Sequence, residues 1–203
     1  MTASSSLRSS VPTPDSTGLT KERIILGIDP GTNILGFGVI SVDAKGPRYV
    51  TMGVFDLRKI SDPFEKLANI NAGVKELIAV HEPAEMAVES PFYGKNAQVI
   101  LKLGRAQGAA IIAATEAGIP VAEYAPRKAK IAICGNGAAS TEQVETMVGK
   151  TLGVDLDPKY LDATDALAIA LCHYYQTSSP LAGSGSSSSW EKFLAANPGR
   201  IKK

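Results

Sequence analysis

Four acidic residues stand where the residue pattern changes. Asp29 closes the apolar run Ile24–Ile28 and is followed by Pro30 and Gly31. Glu89 closes the short run Glu85-Met-Ala-Val and is followed by Ser90 and Pro91. Asp162 and Asp165 lie three residues apart at the start of an otherwise apolar helical segment, so they share one helix face. A carboxylate at the end of a buried strand must be hydrated, hydrogen-bonded or paired with a cation. Each acid also has a plainer reading. Asp before Pro-Gly caps turns, and acids in a first helical turn are favoured by the helix dipole. Should the fold bring all four together, their repulsion demands positive charge among them. Oxygen ligands alone suit Mg²⁺. Two such ions about 4 Å apart can activate a water and stabilise the departing 3′ oxygen of a phosphodiester. No Cys/His cluster competes for Zn²⁺. His81 and His173 read as incidental, and spacing argues for no Ser–His–Asp set.

The elements that must position these acids can be read in chain order. Ile24–Asp29 predicts a first strand, with Gly36–Asp43 and Tyr49–Leu57 as two more joined by short turns. An antiparallel meander follows. Gly36 and Gly38 lie two apart, on one strand face kept bare for another backbone or a ligand. Ser61 is expected to cap a helix from Pro63 to about Val80, its apolar residues recurring at helical spacing. Glu85–Glu89 arrives after a helix and is expected to run parallel to the first strand.

A long helix is expected over Asn96 to about Ala117, with Val99, Ile100, Leu103, Ala106, Ala110, Ile111 and Ala114 as its apolar stripe. Gly104 and Gly108 are expected to allow close packing on the sheet. Gly118 ends the helix, and Pro120–Tyr124 reads as a fifth strand. Two short helices over 127–134 and 141–152 flank a glycine loop, and a last helix runs from about Tyr160 to Tyr175.

The 203 residues suit one domain with tails, expected as an N-terminal extension over 1–22, a folded unit over 23–177 and a flexible tail over 178–203. The formal net charge of +1 advertises no polyanion partner for the molecule as a whole. Cys134 and Cys172 are far apart and fit no disulfide or CxxC pattern. No apolar run approaches the ~20 residues of a membrane span, and the Ser/Thr-rich start is no secretory signal, so a cytoplasmic location is expected. From Pro91 to Lys130, however, six basic residues (Lys95, Lys102, Arg105, Arg127, Lys128 and Lys130) face two acids. Beside a metal site they read as phosphate contacts; alone, as a solvated face. Phe92 lies in a loop, where it could stack on a base or simply belong to the core.

Four stretches together, GIDPGTNILGFGVI, AVESPFYGKNAQVILKLGRAQG, VAEYAPRKAKIAICGNGAASTEQV and LDATDALAIALCH, resemble the RuvC family of Holliday-junction endonucleases. The resemblance runs from about residue 23 to 176. It implies an α/β, ribonuclease-H-like five-stranded mixed sheet flanked by helices, and a homodimer. It implies a site in which Asp29, Glu89, Asp162 and Asp165 hold Mg²⁺ or Mn²⁺, with two ions per site. It places Phe92 near the crossover of a four-way DNA junction and Lys130 against phosphate. It also implies a branch-migration helicase complex as a partner. A second basic residue common in the family after the glycine loop is replaced here by Ser140 and Thr141. Two other readings stay open from the residues. The strand-Asp-x-Gly-Thr pattern also resembles the phosphate loop of actin-like ATPases and sugar kinases, and a junction-binding protein without catalysis would carry the same basic stretch.

Overall fold

The computed structural model describes residues 22–91, 96–156 and 158–178. The expected extension and tail, and Phe92 and Lys95, lie outside the described residues, apart from Glu22 and Ser178 at their inner ends. The elements are β1 (Arg23–Asp29), β2 (Ile34–Asp43), β3 (Gly46–Asp56), α1 (Pro63–His81), β4 (Glu85–Glu89), α2 (Ala97–Glu116), β5 (Val121–Tyr124), α3 (Pro126–Cys134), α4 (Thr141–Leu152) and α5 (Leu161–Ser178). A 3₁₀ turn over Pro158–Tyr160 leads into α5. The strands form one sheet in the order β3-β2-β1-β4-β5. The first three strands are the expected meander, and β4 joins β1 in parallel, with Ile28 beside Val88. β5 then pairs in parallel with β4.

Alternation along β1 sorts its side chains between two layers. Leu26 and Ile28 face α1 and α2, where they pack with Ile70, Val74, Met86, Ala106 and Ala110. Ile25 faces the other way, towards Ile133, Val144, Val148, Leu167 and Leu171 of α3, α4 and α5. Each such fully buried aliphatic side chain contributes roughly 1.5–3 kcal/mol of transfer free energy. Among the described residues no helix is long and apolar enough to cross a membrane.

α5 packs against all five strands. It lies so low on the sheet because three strand positions carry no side chain. An ideal Cβ on Gly36 would stand 2.0 Å from the Asp162 carbonyl oxygen, and one on Gly27 would stand 2.1 Å from that of Ala166. On Gly38 it would meet the Leu167 side chain at 2.7 Å and its backbone nitrogen at 2.8 Å. The bare face expected of Gly36 and Gly38 therefore receives another backbone. The far end of α5 is fixed by polar contacts. His173, 6% exposed, shares a 2.8 Å hydrogen bond through Nδ1 with the Tyr124 hydroxyl. Its Nε2 lies 2.5 Å from Glu85 Oε2, and Glu85 also accepts from Arg23 at 3.3 Å. His173 is thus a satisfied core residue tying α5 to β1, β4 and β5.

Two local expectations are corrected. Asp62, not Ser61, caps α1, accepting from the Phe64 and Glu65 amides at 2.7 and 2.8 Å. Pro63 decides between the neighbours: its fixed φ and missing N–H suit the first helical position, which makes the preceding residue the cap. Gly104 and Gly108 do not meet the sheet; a Cβ on either would have no neighbour within 4 Å. α2 instead packs through Ala106, Gln107, Ala110, Ala113 and Ala114, and Val99 is exposed.

The glycine contacts carry a prediction. Gly36→Ala forces the first turn of α5 off the sheet, because the obstructing atom is backbone. The expected result is a folded protein by circular dichroism, a lowered melting temperature, and at least a 100-fold loss of any activity that depends on Asp162. Parental activity and stability would refute this account of the close approach.

Candidate active site

The parallel pairing of β1 with β4 carries Asp29 and Glu89 to the same end of adjacent strands. Gly36 is the antiparallel partner of Asp29, and it is Gly36 that admits the Asp162 backbone. The first turn of α5 therefore lies over the strand end that bears Asp29. The turn after Asp29 is held in two ways. Gly31 leaves room for the Ile34 carbonyl, which an ideal Cβ would overlap at 1.6 Å. Lys66 of α1 donates to the Thr32 carbonyl at 3.0 Å and to Asn33 Oδ1 at 2.9 Å. Glu89 is held through its backbone: the side-chain amide of the buried Gln107 donates to its carbonyl at 3.2 Å. Ser90 N–H donates to the Tyr124 carbonyl at 2.9 Å, continuing the β4–β5 pairing one residue further.

Electrostatics show that the acids share one field. Burial, then the charges of Glu89, Asp165 and Asp162, push the Asp29 carboxyl well above the usual carboxylate range. Burial, then Asp165, pushes Glu89 up to about 7, with Lys130 pulling the other way. Burial, then Asp162, raises Asp165 to about 6, again against Lys130. Among the described residues, no three His, Cys, Asp or Glu side chains form a chelating group. The donor set is nevertheless all oxygen and its negative charge is poorly compensated, which fits a hard divalent cation.

The expected basic residues are dispersed. Lys130 shares a cleft with Glu89, Asp165 and Thr141, its Nζ donating to the Ala139 carbonyl at 2.9 Å. Lys128 is exposed, its Nζ 5.0 Å from the centre of the Tyr124 ring. Arg127 is exposed, its stem against Gly137 in the glycine loop. Lys102 and Arg105 are exposed on α2, on a separate cleft beside Thr32, Asn33 and Lys66. The Ser140 hydroxyl is committed to capping α4, in a reciprocal pair with Gln143. Lys66 and Gln107 are the site residues that sequence reasoning missed. Lys66 lies outside the four stretches that carry the resemblance, and Gln107, though within the second of them, carries no chemical signature there; only the packing of α1 and α2 beside the strand ends reveals them.

The sequence profile of the family described as "Crossover junction endodeoxyribonuclease RuvC" matches residues 25–173. The chain belongs to the RuvC family. It is 49% identical over 184 residues to the Bacteroides fragilis crossover junction endodeoxyribonuclease RuvC, covering 90% of this chain and 97% of that protein. It is 46% identical over 186 residues to the enzyme of the same description from Porphyromonas gingivalis, covering 90% and 98%. Among solved structures, Thermus thermophilus RuvC superposes with a TM-score of 0.69 at 37% identity, covering 76% of this chain and 95% of that one. T. thermophilus RuvC in complex with Holliday junction substrate gives 0.68 at 34% identity, covering 76% and 94%. A yeast mitochondrial Holliday junction resolvase, at 14% identity and a TM-score of 0.54, shares the fold. The five-stranded mixed sheet flanked by helices is thus the ribonuclease-H-like arrangement that the RuvC resemblance implies.

The raised carboxyl groups make stability depend on pH. Below pH about 4 they are protonated in both folded and unfolded chains and contribute nothing. Between about 4 and about 7, the value reached by Glu89, the unfolded chain releases its protons first, so the fold is progressively destabilised. The expected result, without divalent cations, is a melting temperature that falls over this window and a shallower fall in Glu89→Gln. Added Mg²⁺ should raise the melting temperature more at neutral than at mildly acidic pH. A profile that Glu89→Gln leaves unaltered would contradict the assignment.

Proposed function

We propose that this chain resolves four-way (Holliday) DNA junctions in recombination and repair, nicking two strands of like polarity symmetrically across the crossover. The observation that carries this reading is the shared field of Asp29, Glu89, Asp162 and Asp165 at one rim of the sheet, with Lys130 beside two of them. Membership in the RuvC family, and a relative solved on a Holliday junction, support the substrate.

In this reading the four carboxylates hold Mg²⁺, with Mn²⁺ as a substitute, their side chains turning towards the ion. Two such ions would supply positive charge to the scissile phosphate and ease deprotonation of the attacking water. Asp29 and Glu89, on rigid strand ends, fix the site against the sheet. Asp162 and Asp165 close it from the helix. Lys130 offers phosphate a positive charge in the cleft it shares with Glu89 and Asp165, and its hydrogen bond to the Ala139 carbonyl anchors its Nζ. Lys102, Arg105, Arg127 and Lys128 are proposed as further backbone contacts, which position DNA without reading its sequence. Phe92 keeps the place near the crossover that the resemblance implies, and Lys95 the phosphate contact expected of the basic stretch. Against an ATP-binding role, three further carboxylates around Asp29 oppose a triphosphate's own negative charge. The presence of all four acids likewise argues against binding without cleavage.

Two cuts related by symmetry call for two sites, so a homodimer is proposed. The face of α2 opposite its buried alanines offers the contact. Leu101 and Ile112 are 63% and 52% exposed there, and Gly104 and Gly108 between them leave room for a second backbone. A solution mass near twice that of the chain is expected from sedimentation, and a purely monomeric species at working concentration would oppose this. A branch-migration helicase complex is proposed as a further partner.

The direct test is incubation with synthetic four-way and linear duplex DNA, with Mg²⁺ or with EDTA. Paired nicks are expected in the junction only, and only with Mg²⁺. Asp162→Asn should bind junctions with near-parental affinity and cut at least about 100-fold more slowly. Cutting by that variant at the parental rate would defeat the proposed role of the acid.

A further inference from the structure

A second cleft, of about 410 Å³, opens between α1, α2 and the turn that follows Asp29. Its lining includes Thr32, Asn33, Phe64, Lys66, Lys102 and Arg105, and no acid. Among the described residues Lys102 and Arg105 form no ion pair, and Lys66 donates to a carbonyl and an amide oxygen rather than to a carboxylate. Three cations thus converge uncompensated, in a chain whose net charge is +1. Phe64 stands at the mouth, in the first turn of α1, and is 69% exposed. A large aromatic ring left in water beside three cations has no structural task here, since the α1 core is made by Ile70, Val74 and Leu77.

We infer that this cleft receives one unpaired nucleotide of the DNA strand that leads into the site, its phosphate on the cations and its base on the Phe64 ring. The cleft's size suits a small ligand with one charged group. On DNA, an exposed ring stacks on a base face, and base faces are offered where the duplex stack is interrupted, as at a crossover, not along a regular arm. The turn containing Thr32 and Asn33 begins four residues or fewer after Asp29, so a strand held here runs on towards the four carboxylates. This subsite rests on the junction-nuclease reading.

The test uses the full chain with Phe64→Ala, Phe64→Tyr and a double variant, Lys102→Ala with Arg105→Ala. Binding is measured in EDTA to four-way junctions carrying 2-aminopurine at single positions around the crossover. The parent should quench the probe at one position near the cut. Phe64→Ala should abolish that quench and weaken junction binding about 5- to 100-fold, with the salt slope unchanged, and Phe64→Tyr should restore both. The double variant should reduce the salt slope by roughly 1.4–1.8. A parent that binds junctions while Phe64→Ala matches it in affinity and at every probe position overturns the subsite alone. The same holds if only the salt slope responds, which indicates a duplex backbone passing by. A parent that does not prefer junctions to linear duplex overturns the subsite together with the function it rests on.

Discussion

The site depends on how closely a helix backbone can approach a strand backbone. α5 rests on Gly27, Gly36 and Gly38, and at two of these positions the obstacle to a Cβ is a helix carbonyl oxygen about 2 Å away. Side chains usually hold a helix well off a sheet, and that separation would carry Asp162 away from the strand ends. Removing three β-carbons removes it. The energetic cost is the extra chain entropy of glycine in strand interiors, of order 0.5–1 kcal/mol each. The gain is that acids from opposite ends of the sequence converge on one rim, without any loop having to close over them.

Convergence has an electrostatic cost as well. Asp29, Glu89 and Asp165 all have raised proton affinities, with burial as the first cause and mutual repulsion next. Lys130 offsets this only in part, for Glu89 and Asp165. Such a cluster detracts from stability and is tolerated because the surrounding layers are well packed: the α1/α2 layer and the α5 layer each bury a continuous aliphatic core against the sheet. The far half of α5, fixed through His173 to Tyr124 and Glu85, keeps the strained end from relaxing by tilting the helix.

Much of this was legible in the sequence because period-2 and period-3.6 patterns report burial directly. Asp29 and Glu89 ended apolar runs, Asp162 and Asp165 opened one, and the order of strands and helices gave the parallel pairing that joins them. Where neighbours compete, the pattern was insufficient. Ser61 and Asp62 are both good caps, and only the constraint of Pro63 separates them. Gly104 and Gly108 read as packing glycines, like Gly36 and Gly38, but face solvent, since spacing alone does not say which surface a glycine opens towards. Lys66, Gln107 and the partners of His173 could not be found at all: their contacts join residues 18 to 88 positions apart. The basic residues from Pro91 to Lys130 read alike as phosphate contacts, whereas the fold gives them different surroundings, Lys128 beside an aromatic ring and Lys130 beside the acids.

One consequence concerns the length of α5. Asp162 and His173 are eleven residues apart, close to three full turns, so the two ends of the helix are in phase. Insertion or deletion of one residue between them would rotate one end by about 100° relative to the other. Either the acids would leave the rim or the imidazole would leave its pocket. This helix behaves like a keyed shaft: the residue count between Asp162 and His173 is set by what each end must engage.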